Sequence, residues 1–261
     1  MLAFVKVAAA TDFNDANIAY NKGDYPAAFK IWKVLAQQGN ANALYKIGFM
    51  YAEGQGVQYN ILTAIKYWEL SAEKGNTQAK LELGLLYKIG FGVERDYKKS
   101  AKYLIEAAEK GEAVAQYNLG KMYHNGQGLE KDISIATKYY TLAAEQGHIE
   151  AQHILGIMYK LGEGVLQNNE SALKWLQRSA DQGYAEAQTS LGAMYENGQG
   201  VVRDYKTATN WYILAAQQGD GLAQISLGSL YLHGKGVEQD NIKAYMWFNI
   251  ATRQTATKKT G

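Results

Sequence analysis

A step of 36 residues governs this chain. Glycine stands at 39, 75, 111, 147, 183 and 219, and again, each time behind Leu or Ile, at 48, 84, 120, 156, 192 and 228. The same step carries Tyr51, Tyr87, Tyr123, Tyr159, Tyr195 and Tyr231, and the G-x-G pairs 54/56, 90/92, 126/128, 162/164, 198/200 and 234/236. Of 27 glycines, 24 fall in this register. A unit this short cannot bury its apolar side alone, so neighbouring copies must stack and share one continuous core.

Each copy reads as two helices. In the first, Ala43, Ile47, Met50 and Tyr51 recur at helical spacing and define one face. Gly48 lies inside that helix, where glycine costs about 1 kcal/mol against alanine. Six repetitions of that cost imply a steric reason, the close approach of a neighbouring helix. The helix ends at the G-x-G loop, where glycine supplies positive φ. The second helix begins behind Asn60, Asp96, Asp132, Asn168, Asp204 or Asp240, short side chains suited to cap the free N–H groups of a first turn. Its buried face is Ala64, Tyr67, Trp68, Ser71 and Ala72, with small and aromatic equivalents in later copies. No segment alternates with the period of a strand. The expectation is an all-α array: a variant first unit over 12–39 with a shortened loop and Pro26 in a first turn, then copies starting near 40, 76, 112, 148, 184 and 220.

The two ends read differently. Residues 1–11 carry a short apolar run and Ala8 and Ala10 in an A-x-A pattern. Two readings stay open: the remnant of an export signal, which favours a periplasmic or secreted location over a cytoplasmic one, or an apolar lead-in to the first helix. At the other end the pattern fades after Ala251, Thr255 replaces the closing glycine, and 253–261 form a polar tail. Met246, Trp247, Phe248 and Ile250 are expected to leave an apolar patch there, a candidate interface.

The pattern A-x-x-x-[LI]-G-x-[ML]-Y-x-x-G-x-G-[VL]-x-x-[DN]-x-x-x-[AS]-x-x-[YW]-x-x-x-[AS] resembles the Sel-1-like repeat family, relatives of the tetratricopeptide repeats. The resemblance covers about residues 12–252. It implies a right-handed α/α superhelical solenoid that acts as an adaptor for other proteins, often in bacteria and often exported, in the envelope or toward a host. One branch of the family staples each repeat with a disulfide. This chain has no Cys, so the properties of that branch are not carried over.

Among the copies the core positions repeat while a second stripe on the first helix varies. Facing inward, it carries Tyr45 and Phe49 in the first copy, Leu81, Leu85 and Lys88 in the second, Tyr117, Lys121 and His124 in the third, and His153, Ile157 and Lys160 in the fourth. This is the expected partner groove. Lys88, Lys121 and Lys160 beside Tyr117, His124 and His153 suggest a basic, aromatic patch for an acidic or C-terminal peptide; scattered surface lysines are the plainer alternative.

Chemistry finds little footing. The G-x-G pairs follow helices, not strands, and lack the G-K-[ST] of a phosphate loop. The four His, at 124, 148, 153 and 233, show no metal-ligand spacing, and there is no G-x-S-x-G elbow. A formal charge of +2 gives no pull toward nucleic acid, and no apolar run is long enough to span a membrane. The expectation is a non-enzymatic scaffold without cofactor or metal. Alternatives are an exported enzyme or binder of a cell-wall-like small molecule, and a structural link in an assembly.

Overall fold

The computed structural model describes residues 12–257, all helical or in turns and loops, with no strand among them. The leader read at 1–11 and the last four residues of the tail lie outside these residues. Two compact units divide the chain, residues 1–131 and 132–261. Unit 1 holds α1 (Phe13–Asn21), α2 (Tyr25–Gln37), α3 (Ala41–Glu53), α4 (Ile61–Glu73), α5 (Thr77–Ile89), α6 (Tyr97–Ala108) and α7 (Ala113–Asn125). Unit 2 holds α8 (Ile133–Glu145), α9 (Ile149–Leu161), α10 (Asn169–Asp181), α11 (Ala185–Asn197), α12 (Tyr205–Gln217), α13 (Gly221–His233) and α14 (Asn241–Thr257). The expected all-α class of paired helices is what the structure shows.

In five of the pairs a glycine inside the first helix seats a large side chain of the second. A Cβ on Gly48 would lie 2.6 Å from the Trp68 indole and 3.1 Å from the Ala64 carbonyl oxygen. Gly84 faces Leu104 in the same way, Gly156 faces Leu176, Gly192 faces Tyr212 and Gly228 faces Phe248. Between pairs, the second glycine of each G-x-G does similar work. A Cβ on Gly128 would come within 2.5 Å of the Tyr97 backbone at the start of α6, and one on Gly200 within 2.7 Å of the Asn169 carbonyl oxygen at the start of α10. The loop of one copy thus rests on the first turn of the helix before it.

Hydrogen bonds close the loops with equal regularity. The N–H of the capping residue donates to the carbonyl of the repeating tyrosine at 2.9 Å in Asn60–Tyr51, Asp96–Tyr87, Asn168–Tyr159, Asp204–Tyr195 and Asp240–Tyr231. Each capping side chain accepts from the first turn it precedes, as Asn60 does from Thr63 at 3.0 Å and Asp132 from Ile135 at 2.9 Å. A further joint is not evident from the glycine pattern. The buried amides of Gln116, Gln152, Gln188 and Gln224 donate to the carbonyls of Ala108, Ala144, Ala180 and Ala216 at 3.3, 3.0, 3.2 and 3.2 Å. Each is a second donor to a last-turn carbonyl of the preceding helix, which already accepts the N–H of the closing glycine, as Ala108 does from Gly111 at 3.0 Å and Ala180 from Gly183 at 2.9 Å. Gln182 and Gln218 then donate to Gln152 and Gln188.

The final helix departs from its siblings. Second helices such as α10 and α12 run 13 residues, whereas α14 runs 17. Position 255 holds Thr where earlier copies hold a glycine at φ near +90°, such as Gly111 at 92° and Gly219 at 89°. No described residue other than glycine adopts positive φ, so nothing reverses the chain at 255 and the helix runs on.

The steric reading of the inner glycines predicts opposite signs for one substitution. Gly48→Ala should lower stability by about 1–3 kcal/mol, overpacking against Trp68 outweighing the gain in helix propensity. Gly221→Ala, with nothing within 4 Å of the added methyl, should be neutral or stabilising by up to about 1 kcal/mol. Urea unfolding of the two variants measures both.

Candidate interaction face

In unit 1 the first helices α3, α5 and α7 are cross-linked by polar side chains along one face. Asn76 donates to Asn42 at 2.8 Å, and Gln78 donates to Glu112 at 2.8 Å. Tyr45 is half-buried, its ring stacked 6.5 Å from Trp68, whose indole N–H donates to the Tyr45 carbonyl at 3.2 Å. The Tyr45 phenol meets the carboxylate of Glu82 across the α3–α5 seam. Burial, then the charge of Glu82, pushes the phenol up to about 12, so it stays protonated and donates. Burial also raises Glu82 above the usual carboxylate range, against the lowering effect of the Tyr45 bond. Phe49 and Leu85 are half-buried. Leu81 needs correction as a groove residue: it is only 7% exposed, because the stripe here turns into the packing between first helices.

Lys88 and Lys121 come together on this face. The Lys88 ammonium donates to Asn118 Oδ1 at 2.6 Å, and Asn118 is oriented by its own bond from Nδ2 to the Val114 carbonyl at 2.8 Å. Burial, and next the charge of Lys121, lowers Lys88 to about 8. Lys121 lies over the Tyr117 ring, 5.4 Å from its centroid, and His124 is half-buried in the last turn of α7. Neither lysine forms an ion pair among the described residues.

In unit 2 the stripe holds His153, Ile157 and Lys160 on α9, each half-buried. The His153 ring lies 5.3 Å from that of Tyr184, and its Nε2 is 3.4 Å from the Ser190 hydroxyl. Burial holds His153 below the ordinary imidazole range, with Glu186 opposing. Ile157 packs against the core of Leu176 and Leu191. Lys160 occupies the same repeat position as Lys88, in the last turn of its helix.

The apolar patch expected on α14 also needs correction. Trp247 packs against the Ala208–Tyr212 core and Phe248 is seated on Gly228, the standard wedge position, while Ile250 is half-buried. Of the four, only Met246 is exposed, and the exposed apolar surface is completed by Ile242 at 83% and Tyr245 at 70%. The signal was present in the sequence: Tyr245 stands where Ile65, Ala101, Thr137 and Thr209 are buried, and Met246 where four copies have Lys66, Lys102, Lys138 and Lys174. Glu82 and the Gln–carbonyl joints were missed, since neither repeats through all six copies.

No group of three or more His, Asp or Glu side chains that could hold a metal occurs among the described residues. No described helix is long and apolar enough to cross a membrane.

A family model described as Sel1 repeat matches residues 41–76, 77–112, 113–148, 149–184, 185–220 and 221–255. A crystal structure of a Sel1 repeat protein from Oxalobacter formigenes is 33% identical with a TM-score of 0.78, covering 93% of this chain and 100% of that one. A protective antigen of uropathogenic Escherichia coli strains, described as displaying an SLR fold, is 30% identical with a TM-score of 0.83 over 93% of this chain. The chain spans 56% of the length of that antigen. No curated protein gives a significant match.

The environment of Lys88 has a measurable consequence. Its pKa in the folded chain, about 8, lies below the 10.5 of an exposed lysine, so its contribution makes stability rise as pH climbs from about 8 toward 10.5, where the unfolded chain still holds the proton. NMR titration of 13C-methylated lysines should find one resonance titrating near 8. Lys121→Gln should move it upward, and Asn118→Asp further still.

Proposed function

Because the chain belongs to the Sel1 repeat family, whose members are generally non-catalytic protein-interaction scaffolds, we propose that it binds an acidic peptide segment of a partner protein on the first-helix face of unit 1. The observation that carries this reading is the convergence of Lys88 and Lys121 without a carboxylate to balance them. Two cations held close and partly out of water repel each other, and an incoming carboxylate relieves that repulsion while accepting charge-assisted hydrogen bonds. Asn118 holds Lys88 in place, so part of the ordering cost of binding is met in advance. Tyr117 and the half-buried Phe49 and Leu85 supply apolar contact around the charged centre.

Selection from a library of random nonapeptides displayed on a carrier, against the full chain, should enrich Asp and Glu. The double variant Lys88→Glu, Lys121→Glu should bind the selected peptides about 10–100-fold more weakly, the loss of one or two charged hydrogen bonds. Binding should also weaken with added salt. Selection without acidic preference, or an affinity unmoved in the double variant, defeats the proposal.

A second reading, a structural link in an assembly through the C-terminal helix α14, is supported by the exposed Ile242, Tyr245 and Met246. Sedimentation should show concentration-dependent association that is lost in Tyr245→Asp, Met246→Asp.

A further inference from the structure

Three charged side chains near the middle and C-terminal half of α5 take different flanks of that helix. Lys88 and Lys121 meet at the seam between α5 and α7. Glu82 lies on the other flank of α5, at the seam with α3, where Tyr45 bonds to it. Glu82 is half-buried, it forms no ion pair among the described residues, and Glu53 of α3 adds negative charge beside it. Tyr45 cannot swing away easily, since its ring stacks on Trp68 and its backbone carbonyl receives the Trp68 indole N–H. The carboxylate is therefore held in place, partly desolvated and unneutralised. A carboxylate in that state gains from any cation that reaches it.

Resting on the acidic-peptide reading above, we propose that this face binds its peptide in one direction, with the carboxylate side chain between Lys88 and Lys121 and an Arg or Lys of the same segment on Glu82. The spacing follows from the helix. Lys88 lies six residues beyond Glu82 on α5, about 9 Å along the axis, and the two point to opposite flanks of a helix about 10 Å across. The two charges are thus separated by roughly 13 Å, which an extended segment spans in about four residues at ~3.3 Å each. Leu85 lies between them on the same helix and is half-buried, so an apolar side chain of the segment crosses there. The reverse direction would set the peptide's cation against two lysines and its carboxylate against Glu82. Like charges on both ends exclude it.

The same nonapeptide library, selected on the wild-type chain and on Glu82 variants, tests the direction. The wild type should enrich an Arg or Lys about four positions from the Asp or Glu. Glu82→Gln retains an oxygen for the Tyr45 hydroxyl and should keep the acidic preference while losing the basic one, with about tenfold weaker binding of the wild-type peptides. Glu82→Lys should replace the basic preference by an acidic one. If the wild type enriches acidic residues with no basic residue at a fixed spacing, or Glu82→Gln still enriches one, the polarity is wrong and the acidic-peptide reading stands. If no acidic residue is enriched at all, that reading fails and the polarity with it.

Discussion

Five helix pairs of this protein, α3–α4, α5–α6, α9–α10, α11–α12 and α13–α14, turn on a contact between a bulky side chain and a backbone that carries no Cβ. Trp68 on Gly48, Leu176 on Gly156, Tyr212 on Gly192 and Phe248 on Gly228 are one joint written with different wedges. The wedge can be indole, aliphatic, phenol or phenyl because the glycine fixes the depth of approach and leaves the shape to be settled by the second helix. Interior packing tolerates changes of side chain when volume and register are kept. Register is what the glycine keeps. The loop glycines then rest each copy on the first turn of the helix before it, and the tyrosine carbonyl ties the loop shut.

With the joint fixed in the framework, the variable stripe of the first helices is free to differ. In unit 1 that freedom has produced a face with a carboxylate on one flank of α5 and two ammonium groups on the other. Helix packing alone would neutralise such groups or send them to solvent. Here Asn118 and Tyr45 hold them, and both of these are neutral. Neutral partners orient a charge without cancelling it, which is the arrangement a recognition surface needs.

The glycine and tyrosine register, the caps and the pairing of helices were legible because each is demanded by backbone geometry at every copy. The interaction face was legible only in part. Lys88 and Lys121 could be placed on one stripe by period, but Glu82 sits one position off it, where side-chain reach across a seam decides and spacing does not. Leu81 shows the same limit from the other side: the stripe position is right and the burial is set by the adjacent helix. Trp247 and Phe248 look like a terminal patch when the end of the pattern is read alone. Aligned with Tyr67 and Trp68 they fall on the wedge, and the exposed residues are their neighbours. The glutamine joints escaped because the second copy puts Lys80, paired with Glu106 at 2.7 Å, where later copies put Gln.

Those glutamines bear on which halves of the repeat are interchangeable. Gln152 with Gln182, and Gln188 with Gln218, form matched sets that pass a hydrogen bond from one helix end to another. The first two copies hold Leu44 with Lys74, and Lys80 with Lys110, at the same places. Unequal recombination between tandem copies would join halves from different sets. A Gln half joined to a Gln half keeps an amide–amide bond, while a Gln half joined to a Lys half puts an ammonium donor in place of the amide. At this joint the copies thus fall into two kinds, those that pass the bond between two amides and those that carry lysine there.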